Sequence, residues 1–277
     1  QPSIQQAACK LPQTDTCSAK DEAMKTPWKW LLLCSGLSLL PAAQAATDTK
    51  PLLAKQFKKT VGKCWVYTDG NDNDYCMSAG PSREVTIDGK TQLYALALGN
   101  AYDFANKQPN QSHADSGIAA LYVYQKSSNG WQLIHRGKPD HIGAYGEAPR
   151  GKDWTFHQFG PKTYGYLATH SDMHHGYAGS HYAILSPWKQ GVASSWIGAA
   201  YNSEGASENG KTYADLEATF YINTQAQPTA GMYPLVFKVR NNSNGKKQPV
   251  KTFTVPFNAK AGGYVAPKNY PLNNIDY

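Results

Sequence analysis

The stretch YADLEATFYI (213–222) decides the fold class, because its side chains alternate strictly between apolar and polar. Every second residue from position 214 to position 222 is apolar, and Asp215, Glu217 and Thr219 lie between them. A period of two is typical of a strand that has one buried and one solvated face. The segments 233–239 and 250–257 alternate in the same way, so this part of the chain is predicted to be antiparallel sheet.

The rest of the chain carries the same kind of signal. From Cys64 onward about a dozen short apolar or alternating runs are separated by Gly, Pro, Asn and Asp, and no helical periodicity intervenes. The linkers 126–130, 160–163 and 241–247 carry residues that favour hairpin turns. These features predict an all-β, mainly antiparallel protein, built as a β-sandwich or in a barrel-like form.

The strand pattern also suggests a domain organisation. We predict a main β domain over 46–210 and a C-terminal β module over 211–257, which is either immunoglobulin-like by analogy or continuous with the main domain. The final segment, 258–277, is rich in Gly, Pro and Asn. It is therefore predicted to be a loosely ordered tail.

A leader sequence is predicted over residues 24–45. Met24 is followed by two lysines, an apolar run over 30–40 and the small-residue cleavage pattern Ala43-Gln44-Ala45. The apolar run is shorter than the roughly 20 residues that a membrane-spanning helix needs. These features predict a cleaved signal peptide, export to the periplasm or the outside of a bacterium, and a mature chain without a transmembrane segment.

Two further features flank or interrupt this leader. Residues 1–23 precede Met24 and have no clear apolar period, so we interpret them as an upstream extension that is not part of the mature protein. A lipid anchor at Cys34 is not favoured, because Leu33 occupies the position where an anchor signal needs a small residue.

Removal of residues 1–45 leaves Cys64 and Cys76 as the mature cysteine pair. In an oxidising compartment two cysteines twelve residues apart are predicted to form one disulfide. The intervening sequence contains no histidine, which disfavours a metal site built on this pair.

Charge and motifs exclude several function classes. The chain has 27 Lys and Arg against 20 Asp and Glu, of which four and three lie in 1–45, so the mature net charge is +6. The basic residues form no stripe, so a nucleic-acid partner is not predicted. The pattern GASENGKT, from Gly205 to Thr212, matches a phosphate-binding loop in letters. Because the next segment alternates as a strand, a nucleotide site is rejected there.

The Asx-rich stretch TDGNDNDYC (68–76) offers oxygens to calcium, but it lacks the glycine and glutamate that an EF-hand requires at positions six and twelve. We interpret it as a turn inside the disulfide loop. The mature tryptophans are predicted to be buried in strands rather than exposed.

The densest cluster of candidate ligands is HSDMHHGYAGSH (170–181), which is predicted to be the tip of a hairpin about eleven residues long. In extended backbone His170, Asp172 and His174 project to one side, and His181 starts the returning strand. Three imidazoles and a carboxylate suit zinc, copper or nickel, and one or two of the imidazoles suit haem. The alternative is an ordinary polar loop.

The sequence therefore predicts an exported β-rich protein of a bacterial envelope or its surroundings, which acts by binding a protein or glycan rather than by catalysis. The alternative is a metal- or haem-binding protein that uses the 170–181 hairpin. A third hypothesis is a hydrolase, for which the sequence contains no recognisable nucleophile motif.

Overall fold

The computed structural model describes residues 47–112, 115–208, 210 and 212–273. The predicted leader over 24–45 and the extension over 1–23 lie outside the described residues. The described part is all-β and mainly antiparallel, and it is organised in two large sheets. This confirms the predicted fold class in its sandwich form.

The first sheet has eight strands and is preceded by one short helix, α1 (Lys50–Ala54). Six strands follow the order β1-β2-β3-β4-β6-β7, with β5 added beside β4 and β8 beside β6. Their bounds are β1 Lys59–Val61, β2 Cys64–Thr68, β3 Asp74–Ile87, β4 Lys90–Asp103, β5 Gln108–Pro109, β6 Ile118–Ser127, β7 Gly130–Arg136 and β8 Asp140–His141.

The second sheet is a seven-stranded meander in which every strand pairs with its neighbour in sequence, in the order β15 to β9. Its strands are β9 Thr155–Gly160, β10 Thr163–His174, β11 Tyr177–Trp188, β12 Gly191–Asn202, β13 Asp215–Ile222, β14 Leu235–Asn241 and β15 Lys251–Val255. A small third sheet pairs β16 (Phe257–Asn258) with β17 (Gly263–Tyr264). Three short 3-10 turns occupy Gly151–Asp153, Glu204–Ala206 and Ser243–Gly245.

One hydrophobic cluster lies between the two large sheets. Tyr94 and Leu96 of β4 and Leu121 of β6 pack there against Tyr166 of β10 and Leu185 of β11. Side chains on a strand alternate between faces, so the intervening residues of the same strands point to the far side of each sheet. Each sheet therefore contributes one face to this shared core.

The outer faces of both sheets are also covered at their centres. Leu93 and Ala95 of β4 belong to a second cluster beneath α1, where Leu53 is fully buried. This double burial explains why the β4 sequence LYALALG is a continuous apolar run rather than an alternating one. The sequence pattern of a central strand thus depends on what covers its second face.

The stretch 213–222 behaves as its alternation predicts. In β13 Ala218 is buried and Phe220 is half-buried, while Glu217 and Thr219 are exposed. Phe220 pairs with Phe237 of β14, and Phe237 pairs with Phe253 of β15, which gives a row of aromatic rings across three strands. Such cross-strand aromatic pairs stabilise a sheet by roughly 0.2–1 kcal/mol each.

The proposed boundary at residue 210 falls inside one sheet, because β13 pairs directly with β12. The strands of 211–257 therefore belong to the same sheet as those before residue 210. The predicted loose tail is wrong for residues 258–273. Tyr264, Tyr270 and Leu272 are at most 3% exposed and cover the outer face of the second sheet. The Gly and Pro content of this segment gave no indication that these three side chains are buried.

The predicted disulfide between Cys64 and Cys76 is confirmed, and it joins β2 to β3. Replacing both cysteines by alanine should lower the free energy of unfolding by about 2–4 kcal/mol, because the cross-link restricts the unfolded chain over a short loop. Chemical denaturation with and without reductant measures this. The double variant should be insensitive to reductant; equal stability of wild-type protein with and without reductant would contradict the prediction.

Candidate functional site

The histidine-rich segment forms strand ends rather than a long loop. β10 and β11 pair without interruption from Tyr166 opposite Leu185 to His174 opposite Tyr177. Only His175 and Gly176 form the turn, with φ of 47° and 84°. Positive φ at both central residues is typical of the two-residue type I′ hairpin turn. The predicted eleven-residue tip is wrong, because pairing with a neighbouring strand extends almost to the turn.

The structure brings together two of the four predicted ligands. His170 and His181 are directly opposite each other and share one face of the sheet, whereas Asp172 lies opposite Gly179. His174 lies roughly 13 Å further along β10, and its ring packs against that of His175 at 4.0 Å. Within the described ranges no group of three or more His, Cys, Asp or Glu side chains could hold a metal ion.

The His170 and His181 pair packs around Trp196 of β12. The tryptophan ring packs edge-on against both imidazoles, with ring centroids 5.1 Å apart for His170 and 6.0 Å apart for His181. Burial lowers the pKa of His170, and the nearby Asp172 and Asp140 carboxylates oppose this shift. Burial, followed by the charge of His170, lowers the pKa of His181. The pair is therefore stabilised in its neutral form.

His170 also supports a loop from the first sheet. Its Nδ1 atom accepts a hydrogen bond from the backbone N–H of Gly143 at 3.0 Å. Beside it the Asp140 carboxylate, at β8, accepts hydrogen bonds from the Ser194 hydroxyl and from Trp196 Nε1, the latter at 3.1 Å. These bonds join the two sheets at one end of the sandwich.

The loop at this end, over residues 143–148, approaches neighbouring backbone closely at its glycines. A Cβ atom on Gly143 would lie 1.9 Å from the Glu147 carbonyl oxygen, and one on Gly146 would lie 2.1 Å from the Asn110 carbonyl oxygen. The Gly146 N–H donates to the Asp115 carbonyl at 2.7 Å. Between these glycines stands Tyr145, with a φ of 55° and 41% of its surface exposed.

Tyr145 is part of an exposed apolar surface. Met173 is 60% exposed and Tyr177 is 39% exposed near the end of the β10–β11 hairpin. We call Tyr145 and Met173, which line one cavity, the tip surface; Tyr177 pairs with His174, so its side chain lies on the other face of the hairpin from Met173. Apolar side chains grouped at one exposed place are typical of interaction sites, whereas scattered ones are ordinary.

A cavity of about 460 Å³ adjoins the tip surface and has a size typical of small-molecule sites. Tyr145 and Met173 are among its lining residues, and the others combine polar and small side chains: Ser171, Asp172, Ala178, Gly179, Ser180, Ala200, Tyr201, Asn202, Asp215, Leu216 and Glu217. Among these lining residues three are carboxylates and none is Lys or Arg, although Glu217 is paired with Arg240 on the neighbouring strand. The remaining carboxylates, Asp172 and Asp215, disfavour anionic ligands.

A second polar cluster, which the sequence did not predict, joins three distant segments of the first sheet. The Ser116 hydroxyl lies 3.1 Å from His141 Nδ1, and His141 Nε2 lies 3.5 Å from Asp69 Oδ2. The Tyr75 hydroxyl lies 3.5 Å from both His141 Nδ1 and Asp69 Oδ2. No sequence spacing could have indicated this cluster, because residues 69, 116 and 141 meet only through strand pairing.

Asp69 is the most firmly held member of this cluster. Its side chain is only 6% exposed, and it accepts hydrogen bonds from the backbone N–H groups of Asn71 and Asn73 at 2.8 and 2.9 Å. Burial raises the pKa of Asp69, but the hydrogen bonds from Asn73 and Asn71 outweigh it and lower the pKa below the usual value. This local bonding confirms the predicted turn in 68–76.

Two further predictions concern the phosphate-loop pattern and the tryptophans. The GASENGKT segment begins within the 3-10 turn Glu204–Ala206 and is followed by strand β13, which the alternation of residues 213–222 predicted. Residues 209 and 211 of the segment lie outside the described residues. Trp154 is buried, and the other four tryptophans of the described residues, Trp65, Trp131, Trp188 and Trp196, are half-buried.

Over the described ranges, no helix is both long enough and apolar enough to cross a membrane. The two sheets, the cross-link and the tip surface define the class of the protein as a disulfide-bonded antiparallel β-sandwich. No family model matches the chain, and no curated protein or solved structure shows a significant similarity to it.

Proposed function

We propose that this chain is an exported binding protein of a bacterial envelope or its surroundings, and that its tip surface and the adjoining cavity hold a neutral glycan. The leader pattern over 24–45 and the disulfide between Cys64 and Cys76 support export. The single observation that carries the binding proposal is Tyr145, which the loop presents to solvent beside the cavity.

The backbone at Tyr145 is costly to maintain, which supports a role for the exposed ring. A non-glycine residue at positive φ costs of the order of 1–3 kcal/mol, and such strain is concentrated at functional sites. The backbone around Tyr145 is ordered by close contacts at Gly143 and Gly146 and by the Gly146 hydrogen bond. A backbone that is already ordered loses little conformational entropy on binding.

The polar lining favours hydroxyl groups as partners. Asp172 already accepts the Met173 N–H at 2.7 Å, and Asp215 accepts from Asn202 at 3.5 Å. A carboxylate has about four acceptor positions, so it can also accept hydroxyl hydrogens from a ligand. Sugars combine such hydroxyl groups with C–H faces, whose partial positive charge is attracted to the negative face of an aromatic ring.

Calorimetric titration with neutral oligomers of glucose and of N-acetylglucosamine tests this proposal. The protein should bind at least one neutral series, and Tyr145→Ala should weaken that binding at least about tenfold, which corresponds to roughly 1.4 kcal/mol. Oligomers of galacturonic acid provide the anionic comparison and should bind more weakly, because the carboxylates of the cavity repel them.

The matched control is Tyr221→Ala, since Tyr221 is 49% exposed but lies four residues along β13 from the cavity residue Glu217. It should bind the same oligomer with wild-type affinity. The proposal would be overturned if no neutral oligomer bound, or if Tyr145→Ala and Tyr221→Ala bound equally well.

A further inference from the structure

We propose that the cluster of Ser116, His141 and Asp69 is a serine-hydrolase site that acts on neutral or cationic esters. This inference does not rest on the proposed glycan binding, because the cluster includes no residue of the tip surface or of its cavity. The inference rests on the contacts that join a nucleophile, Ser116, to a base, His141, and the base to a carboxylate, Asp69. A nearby cavity gives it further support.

Two contacts favour one tautomer of His141. The Asp69 Oδ2 atom lies 3.5 Å from Nε2, which is a charge contact longer than an ordinary hydrogen bond, and the carboxylate favours a proton on that nitrogen because it can only accept. The neutral ring then carries its lone pair on Nδ1, which faces the Ser116 hydroxyl at 3.1 Å. Ser116 therefore donates its proton toward the base, which is the arrangement that activates a serine nucleophile.

Asp69 acts as the positioning residue. It is almost completely buried and is bonded by two backbone N–H groups, so its orientation toward His141 is fixed before substrate arrives. A carboxylate in this place holds the imidazole in the productive tautomer and stabilises the imidazolium that forms. His141 is 48% exposed, so substrate can approach the pair from solvent.

A cavity of about 350 Å³ lies beside the cluster and is lined by sequence neighbours of Asp69 and Ser116, not by Ser116, His141 or Asp69 themselves. It is lined by Asn73, whose amide holds Asp69, and by Asp115, which precedes Ser116. Tyr102 and Phe104 provide an aromatic wall, with ring centroids 4.8 Å apart. Asp72, Asp74 and Asp103 also line the cavity, so an uncharged or cationic substrate fits it better than an anionic one.

The reaction is an acyl transfer in two steps. Ser116 Oγ gives its proton to His141 Nδ1 and bonds to the ester carbonyl carbon, and the ester C–O bond then breaks as the leaving oxygen takes that proton from His141. Water next gives a proton to His141 and its hydroxyl to the acyl carbon. The acid leaves, and Ser116 recovers the proton from His141.

Two measurements on residues 46–277 test the site. A fluorophosphonate reagent should modify Ser116, which peptide mass analysis can locate, and p-nitrophenyl acetate should be hydrolysed. Ser116→Ala and His141→Ala should each reduce hydrolysis at least about 100-fold. Asp69→Asn should reduce the rate and alter its pH profile, which loss of a purely structural contact would not do.

Ser112→Ala is the matched control, because Ser112 lies in the same loop and bonds to Asp115 rather than to His141. It should retain wild-type labelling and hydrolysis. Thermal unfolding of each variant shows that it is folded. The proposal would be overturned if the reagent left Ser116 unmodified in folded protein, or if folded Ser116→Ala hydrolysed the ester at the wild-type rate.

Discussion

Replacement of Tyr264, Tyr270 and Leu272 by alanine together should abolish cooperative unfolding at 25 °C. All three side chains are almost completely buried on the second sheet, and Tyr270 packs edge-on against Phe237 and Phe253 at 5.7 and 5.3 Å. Truncation of one large buried side chain costs about 2–5 kcal/mol. Three such losses total about 6–15 kcal/mol, which is comparable to the roughly 5–15 kcal/mol that stabilises a typical folded domain.

Denaturant titration followed by tryptophan fluorescence measures this effect. Val265→Ala is the control within the same segment, because Val265 is 47% exposed, and it should change stability by less than about 1 kcal/mol. Tyr270→Phe retains the ring and loses only the hydrogen bond to the Gly198 carbonyl, so it should cost about 1 kcal/mol. A cooperative transition of near wild-type midpoint in the triple variant would contradict the packing of this segment.

Acidification from pH 8 to pH 5 should destabilise the protein through its half-buried histidines. Burial lowers the pKa of His135, His157, His170 and His181 in the folded state below the ordinary 6.5. The unfolded chain therefore takes up protons first, so stability is complete above about pH 6.5 and is lost as pH falls toward the folded pKa values. Each unit of pKa difference corresponds to about 1.4 kcal/mol.

His170 offers the most direct test of this acid sensitivity. Protonation of Nδ1 would turn an acceptor into a donor that faces the Gly143 N–H, so the bond that anchors the 143–148 loop would be lost. The charged groups around the ring are Asp172 on its own strand, Asp140 on β8 and His181 on β11. Amide hydrogen exchange at residue 143 should therefore accelerate between pH 7 and pH 5, after correction for intrinsic exchange rates.

His170→Asn provides the comparison, because an asparagine oxygen can occupy a similar position to Nδ1 and does not titrate in this range. The variant should show a weaker pH dependence of unfolding, and exchange at residue 143 should no longer respond to acid. Comparison of both proteins at pH 8 separates the change in packing from the titration. An identical pH dependence in wild type and His170→Asn would contradict the role assigned to His170.

Much of the fold could be predicted from local pattern. The alternation in 213–222 identified a strand with one buried face, and β13 has that form. The spacing of Cys64 and Cys76 identified the disulfide. The prediction of a loosely ordered tail was wrong because this segment is held by residues about 70 positions earlier in the chain. Tyr264 bonds to Ser195, and Tyr270 bonds to Gly198.

The candidate sites were predictable only in part. The histidine-rich segment was found, yet its long loop was wrong, because uninterrupted pairing between β10 and β11 leaves only His175 and Gly176 in the turn. The cluster of Ser116, His141 and Asp69 had no local signal, since each member lies in a different segment. The exposure of Tyr145 could not be predicted from the sequence either, because the positive φ at this residue depends on tertiary contacts of its loop.

The antiparallel all-β class and the disulfide could be predicted from local sequence, because strand alternation and cysteine spacing are properties of short stretches of chain. Which histidines face each other depends on the register of the β10–β11 hairpin, which its two-residue turn fixes. Which tyrosine lies at the tip surface and which serine contacts a histidine depend on loops and strands that are far apart in the chain, and no local pattern encodes those contacts.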